Sequence, residues 1–185
     1  MDSFDFNPHS VDIVAFARRG GAASGTFGLS GLGRLCGEAH PEALPGPADQ
    51  VHWKASAEAR SVRAGGSEIW LHLHAGASLS LVCQRCLQPV QAVLGVERNF
   101  RFVADEKQAA AIDADIEEDV LVLSRSFDLV ELIEDELLLA LPLVPRHEMC
   151  TQPLESAADP VAFDERVNPF DVLGELKLKR KTVPN

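Results

Sequence analysis

The chain has 185 residues, room for one domain with tails and a sizeable buried core. Its apolar share of 46% is ordinary for a globular protein, while a formal charge of −11 excludes a protein that coats nucleic acid through basic surface. No apolar stretch approaches the ~20 residues that span a bilayer, and the acidic start, MDSFDFNPHS, lacks a basic segment followed by an apolar one, so a cytoplasmic location without a membrane partner is expected.

Residues 12–18, DIVAFAR, read as a short helix after the Asn7-Pro8 turn. Residues 20–50 carry many of the glycines and prolines. They are expected to be turns and irregular chain, with short strands near Gly25–Leu32. Residues 51–103 then change character. Val51, Trp53, Ala55 and Ala57 alternate with polar neighbours. Ile69, Leu71 and Leu73 face away from Trp70, His72 and His74. Leu79, Leu81 and Cys83 share a face, and Val90, Ala92, Leu94 and Val96 continue the habit. Such period-2 runs, broken at Gly65-Gly66 and at the cysteine pair, point to antiparallel strands.

Residues 105–136 hold twelve acids and two bases, a local charge of −10, around a possible short strand at Val120–Leu123. The plain reading is a solvated loop plus the wet face of a helix; the sharper one is a docking surface for a basic partner. The helix itself spans 128–141. Asp128 is its N-cap with Glu131 three residues on, and Leu129, Ile133, Leu137 and Leu141 form one stripe before Pro142 stops it. A polar linker follows at 151–167. Asn168 and Pro169 open a tail helix that ends in the basic cluster Lys177, Lys179, Arg180 and Lys181. The expected fold is α+β: an antiparallel β-meander or partly open barrel with one amphipathic helix and a C-terminal helical tail. A single α+β domain would occupy residues 1–150, and the linker and tail helix 151–185.

The chemistry concentrates in LVCQRCLQPV at 81–90. Two residues between Cys83 and Cys86 let both sulfurs converge on one metal ion, and the chain has a second half-site in His147 and Cys150. Together they would form a Cys3His site for structural zinc, stapling a hairpin to the chain leaving the helix. The two halves stand 60 residues apart, wider than common zinc ribbons, so a bare cysteine-flanked turn remains open. A redox pair fits less well, because redox CxxC motifs open a helix and here strand patterns flank the pair. The chain contains no Gly-rich phosphate loop, no HExxH and no GxSxG, and the acidic pairs are adjacent, so their side chains diverge. No enzyme is expected.

Three stretches, LVCQRCLQPV (81–90), VELIEDELLLALPLVPRHEMC (130–150) and NPFDVLGELKLKRK (168–181), resemble in order and separation the YceD family of large ribosomal RNA subunit accumulation proteins. The resemblance implies a bacterial or organellar cytosolic protein needed for synthesis, processing or stability of large-subunit ribosomal RNA. It carries over Cys83 and Cys86, with His147 and Cys150 as the downstream pair, and no catalytic residue. An acidic protein can serve ribosomal RNA in two ways. The basic tail at Lys177, Lys179, Arg180 and Lys181 can touch phosphates, or an acidic surface at Glu117, Glu118 and Asp119 can hold a basic assembly or processing protein. The charge balance favours the second. The alternative function is a small zinc-stapled protein-binding module without a ribosomal role.

Overall fold

Alternating side chains in the middle of the chain become long strands, because every second residue can face one apolar layer. The computed structural model describes residues 6–61, 67–112, 118–150 and residue 170. The chain divides into two compact units, 1–153 and 154–185, and the described elements lie in the first. The turn at Gly65-Gly66 and the expected tail helix fall outside the described residues, apart from the exposed Phe170.

The elements run α1 (Ile13–Arg18), β1 (Ala22–Gly28), a 3₁₀ turn (Leu29–Gly31), α2 (Gly33–Gly37), β2 (Gln50–Ser61), β3 (Ser67–Val82), β4 (Pro89–Val103), α3 (Glu106–Ile112), β5 (Asp119–Val122) and α4 (Leu129–Leu139). The five strands form one open sheet in the order β1-β2-β3-β4-β5. The fold is α+β, and the sheet is the open form of the expected meander. Its first three pairings are antiparallel. The last departs from that pattern: β5 pairs parallel to β4, Phe100 opposite Asp119. The connection between them carries α3, and β5 begins opposite Phe100, close to the far end of β4, so only the last four residues of that strand are paired in parallel.

One face of the sheet is covered. Leu71, Leu73, Leu79 and Leu81 of β3 and Leu94, Phe100 and Phe102 of β4 are buried in a single core with Ile13 and Phe16 of α1 and Leu129, Ile133 and Leu137 of α4. α1 packs on β2 and β3, α4 on β3 and β4, and α2 on α4. Gly21 is required where it stands, since a Cβ there would meet the Phe16 ring at 2.3 Å. Val11 and Phe127 exchange backbone hydrogen bonds of 2.8 and 3.0 Å, which tie the approach to α1 to the approach to α4.

The Asp128 carboxylate accepts hydrogen bonds from the N–H groups of Val130 and Glu131, the N-cap read from sequence. The helix ends at Leu139, two residues short of the expected limit, with Ala140 as C-cap. Two findings correct the sequence reading of this region. The stretch after β1 contains α2, a five-residue helix that its glycines conceal. In addition, Glu134 and Glu136 of the acidic run are buried, 9% and 7% exposed, instead of solvated. Glu134 accepts from the N–H groups of Arg34 and Leu35 at 2.8 and 3.1 Å and from the Arg34 guanidinium at 3.0 Å, while Arg34 also reaches Asp135. A carboxylate 100 residues away thus satisfies the free N–H groups that open α2. Burial pushes the Glu136 carboxyl up, and Arg98 at 3.4 Å counteracts it only in part.

Among the described residues no helix is long and apolar enough to cross a membrane. Ile133 is fully buried where α4 meets the sheet, so Ile133→Ala should lower unfolding free energy by about 2–5 kcal/mol, read from the midpoint of a urea denaturation curve.

Candidate metal centre

The site begins where β3 and β4 outrun the rest of the sheet. β2 leaves β3 at the His52–Gly76 pair, while β3 and β4 stay paired through Val82 and Pro89. The two strands therefore project as an arm, and the cysteine pair turns the chain at its tip. The Cys83 N–H donates to the Gln88 carbonyl at 3.0 Å and the Leu87 N–H to the Cys83 carbonyl at 2.9 Å. Closing so tight a loop puts Leu87 at φ 60°, in the left-handed region, the one such non-glycine residue among those described.

The other half comes from the chain after α4. Pro142 prevents the helix from continuing, and the segment runs back along the arm. The Gln84 N–H donates to the Pro145 carbonyl at 2.9 Å. His147 Nε2 lies 3.0 Å from the Pro89 carbonyl. A carbonyl only accepts, so Nε2 carries the proton and Nδ1 keeps a free lone pair. That Nδ1 faces Cys86 Sγ at 3.4 Å, and Cys150 Sγ stands 3.8 Å from Cys83 Sγ. The four candidate ligand atoms lie within 4.8 Å of one another, Cys83 and Cys86 buried, His147 and Cys150 partly so.

Electrostatics favours a thiolate here. Burial pushes the Cys83 thiol up, but hydrogen bonds from the Arg85, His147 and Cys86 backbones and the Cys86 thiol outweigh it and bring it down to about 5. Cys150 moves the other way, raised by burial and by its hydrogen bonds to Cys86 and Cys83. All four cysteines of the chain are free of disulfides. Three of them meet His147, and the fourth, Cys36, donates to the Leu29 carbonyl at 3.2 Å elsewhere. Strands flank the CxxC on both sides. The cluster can hold a metal ion.

The remaining sequence candidates do not join this centre. Glu118 is exposed just before β5, and Asp119 opens that strand with its carboxylate 4.0 Å from Arg98. Glu117 and the basic cluster Lys177, Lys179, Arg180 and Lys181 lie outside the described residues. His72 bonds to Asn99 at 2.6 Å on the uncovered face of the sheet, and His74 is exposed there. The sequence reading missed His40, whose ring abuts the turn at Leu87. Nothing in the spacing of a lone histidine inside a Gly- and Pro-rich stretch signals that contact.

A model of the family described as "Large ribosomal RNA subunit accumulation protein YceD" matches residues 71–177, more than half of the chain. The chain belongs to that family. The YceD match contains all four clustered residues, and His40 precedes it. A relative from Haemophilus influenzae, named large ribosomal RNA subunit accumulation protein YceD, is 36% identical over 106 residues, 55% of this chain. The match covers 61% of that YceD relative's length, just under two thirds. No solved structure matches the chain.

The left-handed Leu87 generates a prediction about stability. Glycine adopts that backbone freely, so Leu87→Gly should stabilise the fold by about 1 kcal/mol. A melting midpoint that rises by a few degrees would bear this out, and a fall would show that the Leu87 side chain contributes more than its backbone strain.

Proposed function

We propose that this chain is a non-enzymatic ribosome-biogenesis factor, needed in the cytoplasm for synthesis, processing or stability of large-subunit ribosomal RNA. Membership of the YceD family carries the reading. A net charge of −11 supports action through a basic protein partner, an assembly or processing factor, over a direct grip on phosphate. The apolar surface near the metal centre supports a protein partner as well. Leu139, Leu143, Val144 and Met149 are exposed along the chain leaving α4, and Val93 and Val144 line one cleft of about 300 Å³.

The metal we assign is structural zinc. Bonds of about 2.3 Å to sulfur and about 2.0–2.1 Å to nitrogen in a tetrahedron imply S–S edges near 3.8 Å and S–N edges near 3.5 Å. The Cys83–Cys150 and Cys86–His147 separations, 3.8 and 3.4 Å, are close to two of these edges, and all four atoms lie within 4.8 Å of one another. With the hydrogen bond from Nε2 to Pro89 fixing the imidazole, the donor set suits a closed site with no position for substrate. Zinc would clip the segment after α4 to the tip of the arm.

Three outcomes are expected. Removing the gene should lower the ratio of large- to small-subunit ribosomal RNA, and an unchanged ratio would overturn the ribosomal reading. The purified protein should carry one equivalent of zinc by elemental analysis, and Cys83→Ser should both empty the site and depress the melting temperature. Capture of the partner should weaken with added salt and with Glu118→Gln plus Asp119→Asn; capture indifferent to both would rule out docking at those carboxylates.

A further inference from the structure

We propose that His40 is a positioning residue for the metal centre, holding the cysteine turn in shape from outside the ligand set. The proposal rests on Cys83, Cys86, His147 and Cys150 being metal ligands.

Only three polar or charged residues among those described are buried: His40, Glu134 and Glu136. The two carboxylates face arginines. His40, 6% exposed, faces the arm instead. Its backbone N–H donates to the Ser80 carbonyl at 2.7 Å, on the stretch of β3 that β2 no longer covers. Its carbonyl accepts from Ala43 N–H at 2.9 Å. The ring is committed at both nitrogens. Nδ1 accepts from the Glu42 N–H at 3.1 Å, which leaves the proton on Nε2, and Nε2 donates to the Leu87 carbonyl at 3.0 Å. The tautomer follows from the partners, because an N–H can only donate and a carbonyl only accept.

The recipient of this bond matters more than its length. Leu87 follows Cys86 directly and is held at φ 60°. A residue with a Cβ leaves that conformation unless its surroundings over-determine it. Two hydrogen bonds do so here: the Leu87 N–H to Cys83 and the Leu87 carbonyl from His40. Without the second, the peptide between Leu87 and Gln88 loses one of the bonds that fix its orientation, and Gln88 supplies the carbonyl that holds Cys83 N–H. Both sulfurs of the CxxC then lose their fixed separation. His40 touches no ligand atom, so its influence is geometric. Outer-shell partners of metal ligands commonly change affinity about 10–100-fold when removed, and His40 acts by the same route, one peptide further out.

The test uses the full chain. Zinc affinity is measured by competition with a chromogenic chelator, and ligand geometry by the visible spectrum of the Co²⁺-loaded protein. His40→Ala should weaken zinc about 10–100-fold and alter the Co²⁺ bands. His40→Gln, whose amide nitrogen falls near the imidazole Nε2, should recover most of the loss, and His40→Asn, whose amide falls short of Leu87, should not. Should His40→Ala fail to fold without metal, the Gln and Asn variants carry the comparison. In a Leu87→Gly background, His40→Ala should have much less effect, because glycine keeps the turn unaided. Unchanged affinity and spectrum in His40→Ala and His40→Asn would overturn the proposal, as would an equal loss with or without Leu87→Gly. So would a lower melting temperature alone, which any buried residue can cause. Absence of thiolate-to-Co²⁺ bands in the unaltered protein is a separate result; it would overturn the metal reading itself.

Discussion

The pairing of β3 with β4 over fourteen consecutive positions, from Ile69–Phe102 to Val82–Pro89, is the constraint on which the rest depends. Buried side chains of the core run along its whole length, from Ile69 and Leu71 to Leu79 and Leu81, and α1 and α4 pack on its strands. Its outer half runs beyond the end of the β2 pairing and presents the cysteine turn. Because side chains alternate along a strand, a slip of one residue in this register would turn Leu71, Leu73, Leu79 and Leu81 to water and move the turn with them. Core and candidate metal site are therefore specified by one ladder.

How far the sequence foretold this depends on the range of the interactions. Strands β2 to β4, the Asp128 cap and the α4 stripe are local patterns, and they were legible. The four clustered residues were legible as two pairs, since CxxC and HxxC each need only a turn; that they meet is set by the arm and by the return of the chain after Pro142. What escaped was non-local. α2 is short, glycine-bounded and stabilised by Glu134 from 100 residues away. The parallel placement of β5 depends on where α3 delivers the chain. His40 has no local pattern at all, and its partner Leu87 lies 47 residues on.

The acidic run shows the same limit from the side of charge. Read linearly, its carboxylates are a solvated surface. In the fold, Glu134 and Asp135 grip Arg34, and Glu136 and Asp119 approach Arg98. Removing Arg34 or Arg98 would leave the buried carboxylate of Glu134 or Glu136 without its cation, so these two acids hold α2 and β4 to α4, while the half-exposed Asp135 and Asp119 add little. Glu118 is exposed beside them.

The 60 residues between Cys86 and His147 contain β4, α3, β5 and α4. A link between the ends of a segment that long removes conformational freedom from the unfolded chain, on the order of 4 kcal/mol by the loop-closure argument used for disulfides. Unlike a disulfide, a metal link is set by the free concentration of the ion as well as by the fold. With zinc bound as proposed, a cell short of the metal would lose that contribution from every copy at once. The amount of intact protein would then follow metal supply without any dedicated sensor, through the fraction of chains that unfold and are degraded.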